Sequence, residues 1–334
     1  MWAAVLAGGS GTRFWPLSTP ERPKQLLPLA GDRPLLVQAV ERLDGLVPPE
    51  RVVVLTGSLL VDAVAQLVPR VPRAQVFGEP RAASTAAALV WAAHWIAERD
   101  PGAQMVSLHA DWAVEDDRAF RAAARQALGV AAEYDVLVTV GVKPTRNETG
   151  YGYILPGAPL GGARRVRRFV EKPSPARAAL LRRRGALWNT GLFAWSVARF
   201  LGEAGAYARE LKAGWPALAA GDVPGFFAAV RPVPVDVAVL ERTRRLAVVT
   251  GTFRWDDIGS WDALLRIRRT DAHGNVVVGN VTLGDDVRRS VIWSDSEHLA
   301  VVGVADMVVV RANGHTLVMP TGRAEQLKAL VQRL

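Results

Sequence analysis

The sequence predicts an α/β protein: a three-layer domain built on a mixed, mostly parallel sheet, with a small β-rich appendage and a terminal helix after it. Three observations predict this. Through the first half of the chain, short strand-like apolar runs alternate with amphipathic helical stretches. Near Asn275 the alternation gives way to short β-runs separated by turn residues. Half of the 334 residues are hydrophobic (50%), enough for one large core and a smaller one. The expected division is 1–270 for the large domain and 271–334 for the appendage.

In chain order, the strand-like runs are Trp2–Ala7, Val52–Thr56, Ala74–Phe77, Met105–His109 and Val136–Val142. Helical patterns fill the gaps at Leu35–Leu43, Leu59–Val68, Ser84–Glu98 and Asp117–Ala131. Short strands follow at Tyr151–Leu155, Val166–Val170 and Leu187–Trp195, with a helix at Pro175–Arg184 and a helical stretch over Val197–Phe227. The appendage reads as Val276–Val278, Val287–Trp293, Leu299–Val304, Met307–Arg311 and Thr316–Met319, closed by a helix over 323–334. Gly-Asn-Val occurs twice in it, at Gly274–Val276 and Gly279–Val281, which suggests successive rungs of a β-helix.

Composition removes several classes of function. With no cysteine there are no disulfides, thiol nucleophiles or thiolate metal sites. The apolar start Ala3–Ala7 is too short for a secretory leader. The stretch Ala86–Ala97 is interrupted by His94 and is shorter than a membrane span, so a cytoplasmic protein without membrane contact is expected. The formal charge is +9, but the excess is scattered arginine. The one dense run, Arg164–Arg168, reads as an edge or surface strand. Nucleic acid is therefore not an expected partner, and a basic pocket for phosphorylated small molecules fits better. Lysine is rare, and Lys24, Lys143 and Lys172 each adjoin a proline.

In open α/β sheets ligands lie beyond the carboxyl ends of the strands. The first such loop is Leu6-Ala7-Gly8-Gly9-Ser10-Gly11-Thr12-Arg13-Phe14. Its glycines let backbone N–H groups approach a phosphate, and Arg13 adds a forked cation. The Walker Gly-Lys-Ser/Thr ending is absent, and Phe14 stands where a dinucleotide fingerprint needs glycine. Acids after strands are Asp111, in Leu108-His109-Ala110-Asp111, and Asp257, in Trp255-Asp256-Asp257-Ile258-Gly259-Ser260-Trp261. Such carboxylates suit a hard cation. Asp111 also suits a helix cap, and Asp256 is the alternative to Asp257. Further polar candidates are Glu171–Lys172, which also suits a surface pair, Asn189, which suits a turn, and Asp236, which suits an N-cap. His94 reads as a core residue.

The glycine loop, Pro16-Leu17-Ser18 and Pro23-Lys24-Gln25 together resemble the signature of sugar-1-phosphate nucleotidyltransferases. The wording is nearest the mannose-1-phosphate guanylyltransferase branch. The segments at 108–111 and 255–261 resemble the family's Leu-Pro-Ala-Asp and Trp-x-Asp-x-Gly-Ser-Trp. Those at 150–153, 170–173 and 188–193 resemble its Gly-Tyr-Gly-Tyr, Val-Glu-Lys-Pro and Trp-Asn-Ser-Gly-Met-Phe. The resemblance covers roughly residues 1 to 280.

It implies a Rossmann-like, glycosyltransferase-A-like nucleotide-binding domain. It also implies transfer of GMP from GTP to mannose 1-phosphate, giving GDP-mannose and pyrophosphate, with Mg2+ as cofactor. By the same resemblance, Leu6, Ala7, Gly8, Gly9, Gly11, Thr12, Arg13, Lys24, Glu79, Thr85 and Asp111 meet the nucleotide, with Arg13, Lys24 and Asp111 catalytic. Asp111 and Asp257 hold the metal. Gly150, Glu171, Lys172, Asn189 and Asp257 meet the sugar phosphate. His109 and Trp112 depart from the pattern, as does Ala83-Ser84-Thr85-Ala86-Ala87-Ala88, where the guanylyltransferases read Arg-Asn-Thr-Ala-Pro-Ala. The base and sugar therefore stay open to dTTP or UTP with glucose 1-phosphate, and a non-catalytic sugar-nucleotide-binding regulator is the reading from another class. The family's C-terminal isomerase domain is not expected in a chain of this length. The β appendage is a candidate homodimer contact.

Overall fold

The computed structural model describes residues 1–9, 11–331 and 333. Ser10 of the glycine loop, and Gln332 and Leu334 of the expected terminal helix, lie outside them. The chain forms two compact units. One comprises Met1–Gly8, Ala39–Ala110 and Val114–Trp255, the other Gly9–Gln38, Asp111–Ala113 and Asp256–Leu334.

The first unit is organised by a nine-stranded sheet. Its strands are β1 (Trp2–Leu6), β2 (Val52–Gly57), β3 (Val76–Glu79), β4 (Gln104–His109), β6 (Leu137–Val142), β7 (Tyr153–Leu160), β8 (Ala163–Val170), β9 (Leu187–Ser196) and β10 (Leu246–Thr250). A short β5 (Ala113–Glu115) stands outside it. The order is β3-β2-β1-β4-β9-β6-β10-β8-β7. The β3-β2-β1-β4 half is parallel, as expected, because helical crossovers link its strands. The other half is largely antiparallel, a correction to the mostly parallel expectation. Gly161-Gly162 joins β7 directly to β8 as a hairpin, and β9 inserts against the direction of both β4 and β6. The arginine run is a surface strand, with Arg164, Arg165, Arg167 and Arg168 exposed, but not an edge. β8 pairs with β7 on one side and β10 on the other. The strand β10 was not among the expected elements, although Leu-Ala-Val-Val-Thr carries a clear β signal.

Helices α1 (Leu35–Glu41), α2 (Val61–Leu67), α3 (Ser84–Arg99) and α4 (Asp117–Tyr134) follow the expected positions. The α3 sequence is apolar nearly all round because it is buried nearly all round: it packs on β1 and β2 and also on α6 (Val197–Tyr207), with α5 (Pro175–Arg183) preceding. Ala86, Ala87, Ala88, Ala92 and Ala93 are all buried there, and their small side chains permit close approach. The remaining helical stretch breaks into a 3-10 segment and the short helices α7 (Trp215–Ala219) and α8 (Val223–Ala229). His94 is half-buried, with Nδ1 3.9 Å from Glu98, rather than enclosed in the core.

The second unit carries the β appendage. After β11 (Arg254–Asp256) and α9 (Leu264–Ile267) come β12 (Val276–Val278), β13 (Val281–Leu283), β14 (Val291–Ser294), β15 (Leu299–Val301), β16 (Met307–Ala312) and β17 (His315–Pro320). β12, β14 and β16 stack in parallel, β13 and β15 do the same, and β17 closes the stack antiparallel to β16. Parallel stacking at successive turns is a β-helix, as the repeated Gly-Asn-Val suggested. Asn275 shows why asparagine stands there. Its buried amide donates to Val287 O at 2.8 Å and accepts from Ser290 N–H at 3.0 Å, tying one rung to the next. The expected strand 287–293 starts later, at Val291, and the terminal helix shrinks to α10 (Leu327–Val331) after a 3-10 segment.

Phe14 of the glycine loop belongs to this second core. Its ring lies 5.2 Å from that of Trp261, which lies 5.8 Å from Trp293 of β14. The loop is thus anchored by an aromatic chain rather than by a helix. Among the described residues no helix is long and apolar enough to cross a membrane.

Candidate active site

The candidate residues fall into two clusters, one in each unit. In the second unit the glycine loop makes a single 3-10 turn, Thr12–Phe14, capped by Gly11 at φ 59°. Only glycine fits this cap: a Cβ would overlap the Lys24 backbone nitrogen, besides demanding a left-handed conformation. Ser18 Oγ donates to Gly11 O at 2.7 Å and fixes the turn. Arg13 is exposed.

Lys24 begins a second 3-10 turn, Lys24–Leu26, which places its side chain inward. Its ammonium lies 3.0 Å from Asp111 Oδ2 and donates to Asp257 O at 2.8 Å and Ile258 O at 3.0 Å. Three donors meet three acceptors, which accounts for a lysine side chain only 9% exposed. Asp111 is 31% exposed and is followed by β5, so it does not cap a helix. Gly259 leaves room for the Asp257 carboxylate. A Cβ there would sit 3.3 Å from both carboxylate oxygens and 3.6 Å from Arg13 Nη1. The structure thus brings Gly11, Arg13, Lys24, Asp111 and Asp257 together, although the sequence separates them widely.

In the first unit, Leu6 and Ala7 extend the sheet through their backbones: Ala7 N–H donates to Leu55 O, and Leu6 O accepts from Ala110 N–H. A Cβ on Gly8 would sit 3.7 Å from Glu79 Oε1, at the end of β3. Burial pushes the Glu79 carboxyl up to about 7, against the lowering effect of the Ala83 N–H it accepts. Thr85 Oγ1 accepts from Val235 N–H at 2.9 Å.

The remaining candidates gather around Asn189 in β9, which is a buried strand residue rather than a turn residue. Its Oδ1 accepts from Thr139 Oγ1 at 2.8 Å and its Nδ2 donates to Asp236 Oδ1 at 2.8 Å. Asp236 opens a one-turn π-helix, Asp236–Leu240, and makes no N-cap bond. Glu171 Oε1 lies 3.3 Å from Lys172 Nζ, and Glu171 is largely buried while Lys172 is 63% exposed. A Cβ on Gly152 would lie 2.7 Å from Glu171 Oε2, so the glycine makes space for that carboxylate. Burial, and next the Glu171 charge, raise the Asp236 carboxyl; burial raises Glu171, opposed by Lys172. Gly150 is exposed, its N–H donating to Glu148 at 3.1 Å.

A model of the nucleotidyl transferase family matches residues 2–274, and one described as a MannoseP isomerase/GMP-like beta-helix domain matches 271–334. The chain belongs to the nucleotidyl transferase family. The mannose-1-phosphate guanylyltransferase of Escherichia coli is 35% identical over all of this chain and 73% of its own length. The alginate biosynthesis protein AlgA of Pseudomonas aeruginosa is 34% identical over all of this chain and 72% of its own length. A crystal structure from Thermus thermophilus, described as a mannose-1-phosphate geranyltransferase, has a TM-score of 0.90 and 36% identity, covering 99% of this chain and 98% of its own. A UDP-glucose pyrophosphorylase complexed with UDP-glucose superposes at TM-score 0.54 with 15% identity, covering 80% of this chain and 97% of its own, a likeness of fold alone.

Sequence reasoning missed Arg266 and the conformation of Ile258. Arg266 donates from Nε to Asp256 Oδ2 at 2.8 Å and from Nη2 to Asp256 Oδ1 at 3.1 Å. Ile258 has φ 47°. Neither lies in a run whose spacing announces it.

Proposed function

We propose that this nucleotidyltransferase transfers GMP from GTP to mannose 1-phosphate, releasing pyrophosphate and forming GDP-mannose. One observation carries the site reading: a buried ammonium, Lys24, tied at once to Asp111 and to the Asp257–Ile258 turn. Cations and acids gathered beside a glycine turn suit a polyphosphate.

In the proposed reaction, an oxygen of the sugar phosphate attacks the α-phosphorus in line. The bond from phosphorus to the bridging oxygen of the leaving pyrophosphate breaks. The attacking phosphate is already an anion, so no general base is required. Arg13 and the N–H groups of the glycine loop bind the triphosphate and stabilise charge that builds on its oxygens. Lys24 holds Asp111 and the Asp257 turn in place and adds positive charge beside them. Glu171 and Asn189 orient sugar hydroxyls, and the exposed Lys172 meets the sugar phosphate. Glu79 and Thr85 belong to the base side. The altered Ala83–Ala88 segment keeps other nucleotides in the test.

Among the described residues no three His, Asp or Glu side chains form a ready cage for a metal. The donor set still fits Mg2+, which is usually held by one or two carboxylates with substrate phosphates and waters completing its shell. Asp111 and Asp257 would hold it. Bound there, it supplies charge neutralisation to the phosphates. We place the enzyme in the cytoplasm, divide it functionally near residue 270, and assign the appendage a role in homodimer contact.

Pyrophosphate release with magnesium, across four nucleoside triphosphates and several sugar 1-phosphates, tests this. GTP with mannose 1-phosphate should give the highest kcat/KM, and Asp111→Ala should abolish it. Preference for another pair would overturn the substrates, and full turnover by Asp111→Ala would overturn the site.

A further inference from the structure

The turn that carries Asp257 is held by Lys24 and also by residues that take no part in the scheme above, Asp256, Ile258 and Arg266. Ile258 is fully buried and left-handed, with φ 47°. For a β-branched residue this is an outlier, because its Cβ crowds the neighbouring carbonyl. Such a conformation persists only where the surroundings over-determine it. Three contacts do so here. Asp256 Oδ1 accepts the Ile258 N–H at 3.0 Å, Ile258 O accepts from Lys24 Nζ at 3.0 Å, and the isoleucine side chain is packed in the core that includes Phe14 and Trp261. Asp256, only 6% exposed, is itself gripped by the Arg266 fork through both its oxygens. A further Arg266 nitrogen, Nη1, lies 3.3 Å from Asp262 Oδ2 one helical turn back, which fixes the guanidinium plane on α9.

The consequence reaches the site. With the turn held left-handed, the Asp257 and Ile258 carbonyls both face one ammonium, and the Asp257 carboxylate occupies the space left beside Gly259. Relaxing Ile258 to an ordinary conformation would turn at least one of these groups away. We propose that Arg266 is a positioning residue: acting through Asp256, it locks the Asp257–Ile258 turn so that the Asp257 carboxylate and the Lys24 ammonium keep their places. This rests on the reading of Asp257 as a divalent-cation ligand. Arg266 touches no reacting group, and a planar two-pronged donor is needed, so lysine is not its equivalent.

The test uses Arg266→Met, Arg266→Lys, Asp256→Asn and the double variant Asp256→Asn/Arg266→Met of the full chain. Mn2+ binding is measured without nucleotide by electron paramagnetic resonance, and pyrophosphate release is measured by steady-state kinetics. Arg266→Met and Asp256→Asn should each weaken Mn2+ binding at least fivefold and lower kcat at least tenfold, with KM for GTP moving less than threefold. The double variant should be no worse than the poorer single one, because both act through one linkage. Arg266→Lys should recover only part of the loss, and it carries the test if Arg266→Met does not fold by circular dichroism. Mn2+ affinity within twofold of the unmodified chain, or losses that multiply in the double variant, would overturn the proposal. Absence of pyrophosphate release from the unmodified chain would instead overturn the proposed reaction, leaving Mn2+ binding to judge the clamp.

Discussion

Lys24 Nζ lies 3.0 Å from Asp111 Oδ2, and the same nitrogen donates to the carbonyls of Asp257 and Ile258. The rare lysine is therefore a tie between two carboxylate-bearing segments. Lys24→Met would leave an acid and two carbonyls without that donor. Breaking a buried pair costs about 3–5 kcal/mol, and the partial exposure of Asp111 lowers the expectation to roughly 2–3 kcal/mol. Turnover should fall at least a hundredfold, since the tie also orients Asp111. Urea unfolding and pyrophosphate release measure the two losses. A variant with ordinary stability and only a small kinetic defect would show that Lys24 is not the tie described.

Two glycines of the same loop should respond differently to alanine. Gly9 (φ 112°) has nothing within 4 Å of a Cβ, whereas a Cβ at Gly11 would overlap the Lys24 backbone. Gly9→Ala bears only the conformational cost of a positive φ, about 1–2 kcal/mol. Gly11→Ala bears that cost and a clash between two backbones that cannot be relieved by a rotamer change. Urea midpoints should therefore rank Gly11→Ala well below Gly9→Ala, and the reverse order would contradict the close approach of the two turns.

Glu79 gives a pH test with a definite sign. Its folded-state value, about 7, lies above the ordinary 4.5 because burial disfavours the carboxylate. Between those values the folded chain holds the proton that the unfolded chain releases, so this group's contribution to stability falls as pH rises through the window. Glu79→Gln removes the contribution while keeping an acceptor for Ala83. The melting temperature of the variant, relative to the unmodified chain, should be higher at pH 8 than at pH 5. An unchanged difference would mean that Glu79 ionises in the fold as it does in water.

How far the sequence disclosed all this depended on range. The glycine-capped turn at Gly11 was legible because such a loop is local, and the parallel half of the sheet was legible because each strand is followed by its own helix. The β-helix showed itself in a repeated asparagine whose side chain must bridge rungs. Long-range pairing was not legible. Nothing in Leu187–Ser196 says that it enters between β4 and β6, so the antiparallel half was missed. Asn189 and Asp236 each allow a local reading, as turn or cap, and only tertiary contact selects against it. Ile258 is the extreme case: local propensity argues against its conformation, and the hydrogen bond from its backbone N–H to Asp256 together with core packing imposes it.

Asn189 supports the last prediction. Its amide nitrogen donates to Asp236 Oδ1, while its oxygen accepts from Thr139. Asn189→Asp keeps the shape but sets a second carboxyl against Asp236, whose own carboxyl is already raised by burial and by Glu171. Two such acids at hydrogen-bond distance cannot both ionise cheaply, and they share a proton. The raised folded-state values mean that the pair is tolerated at low pH and loses stability as pH rises. Asn189→Asp should be close to the unmodified chain in urea at pH 5 and less stable by roughly 2 kcal/mol at pH 8, the cost of forcing charge onto a buried pair. The KM for mannose 1-phosphate should climb over the same interval, because the second charge acts where a sugar is proposed to sit. Stability that falls at pH 8 with no change in KM would keep Asn189 as a structural amide and remove it from sugar recognition.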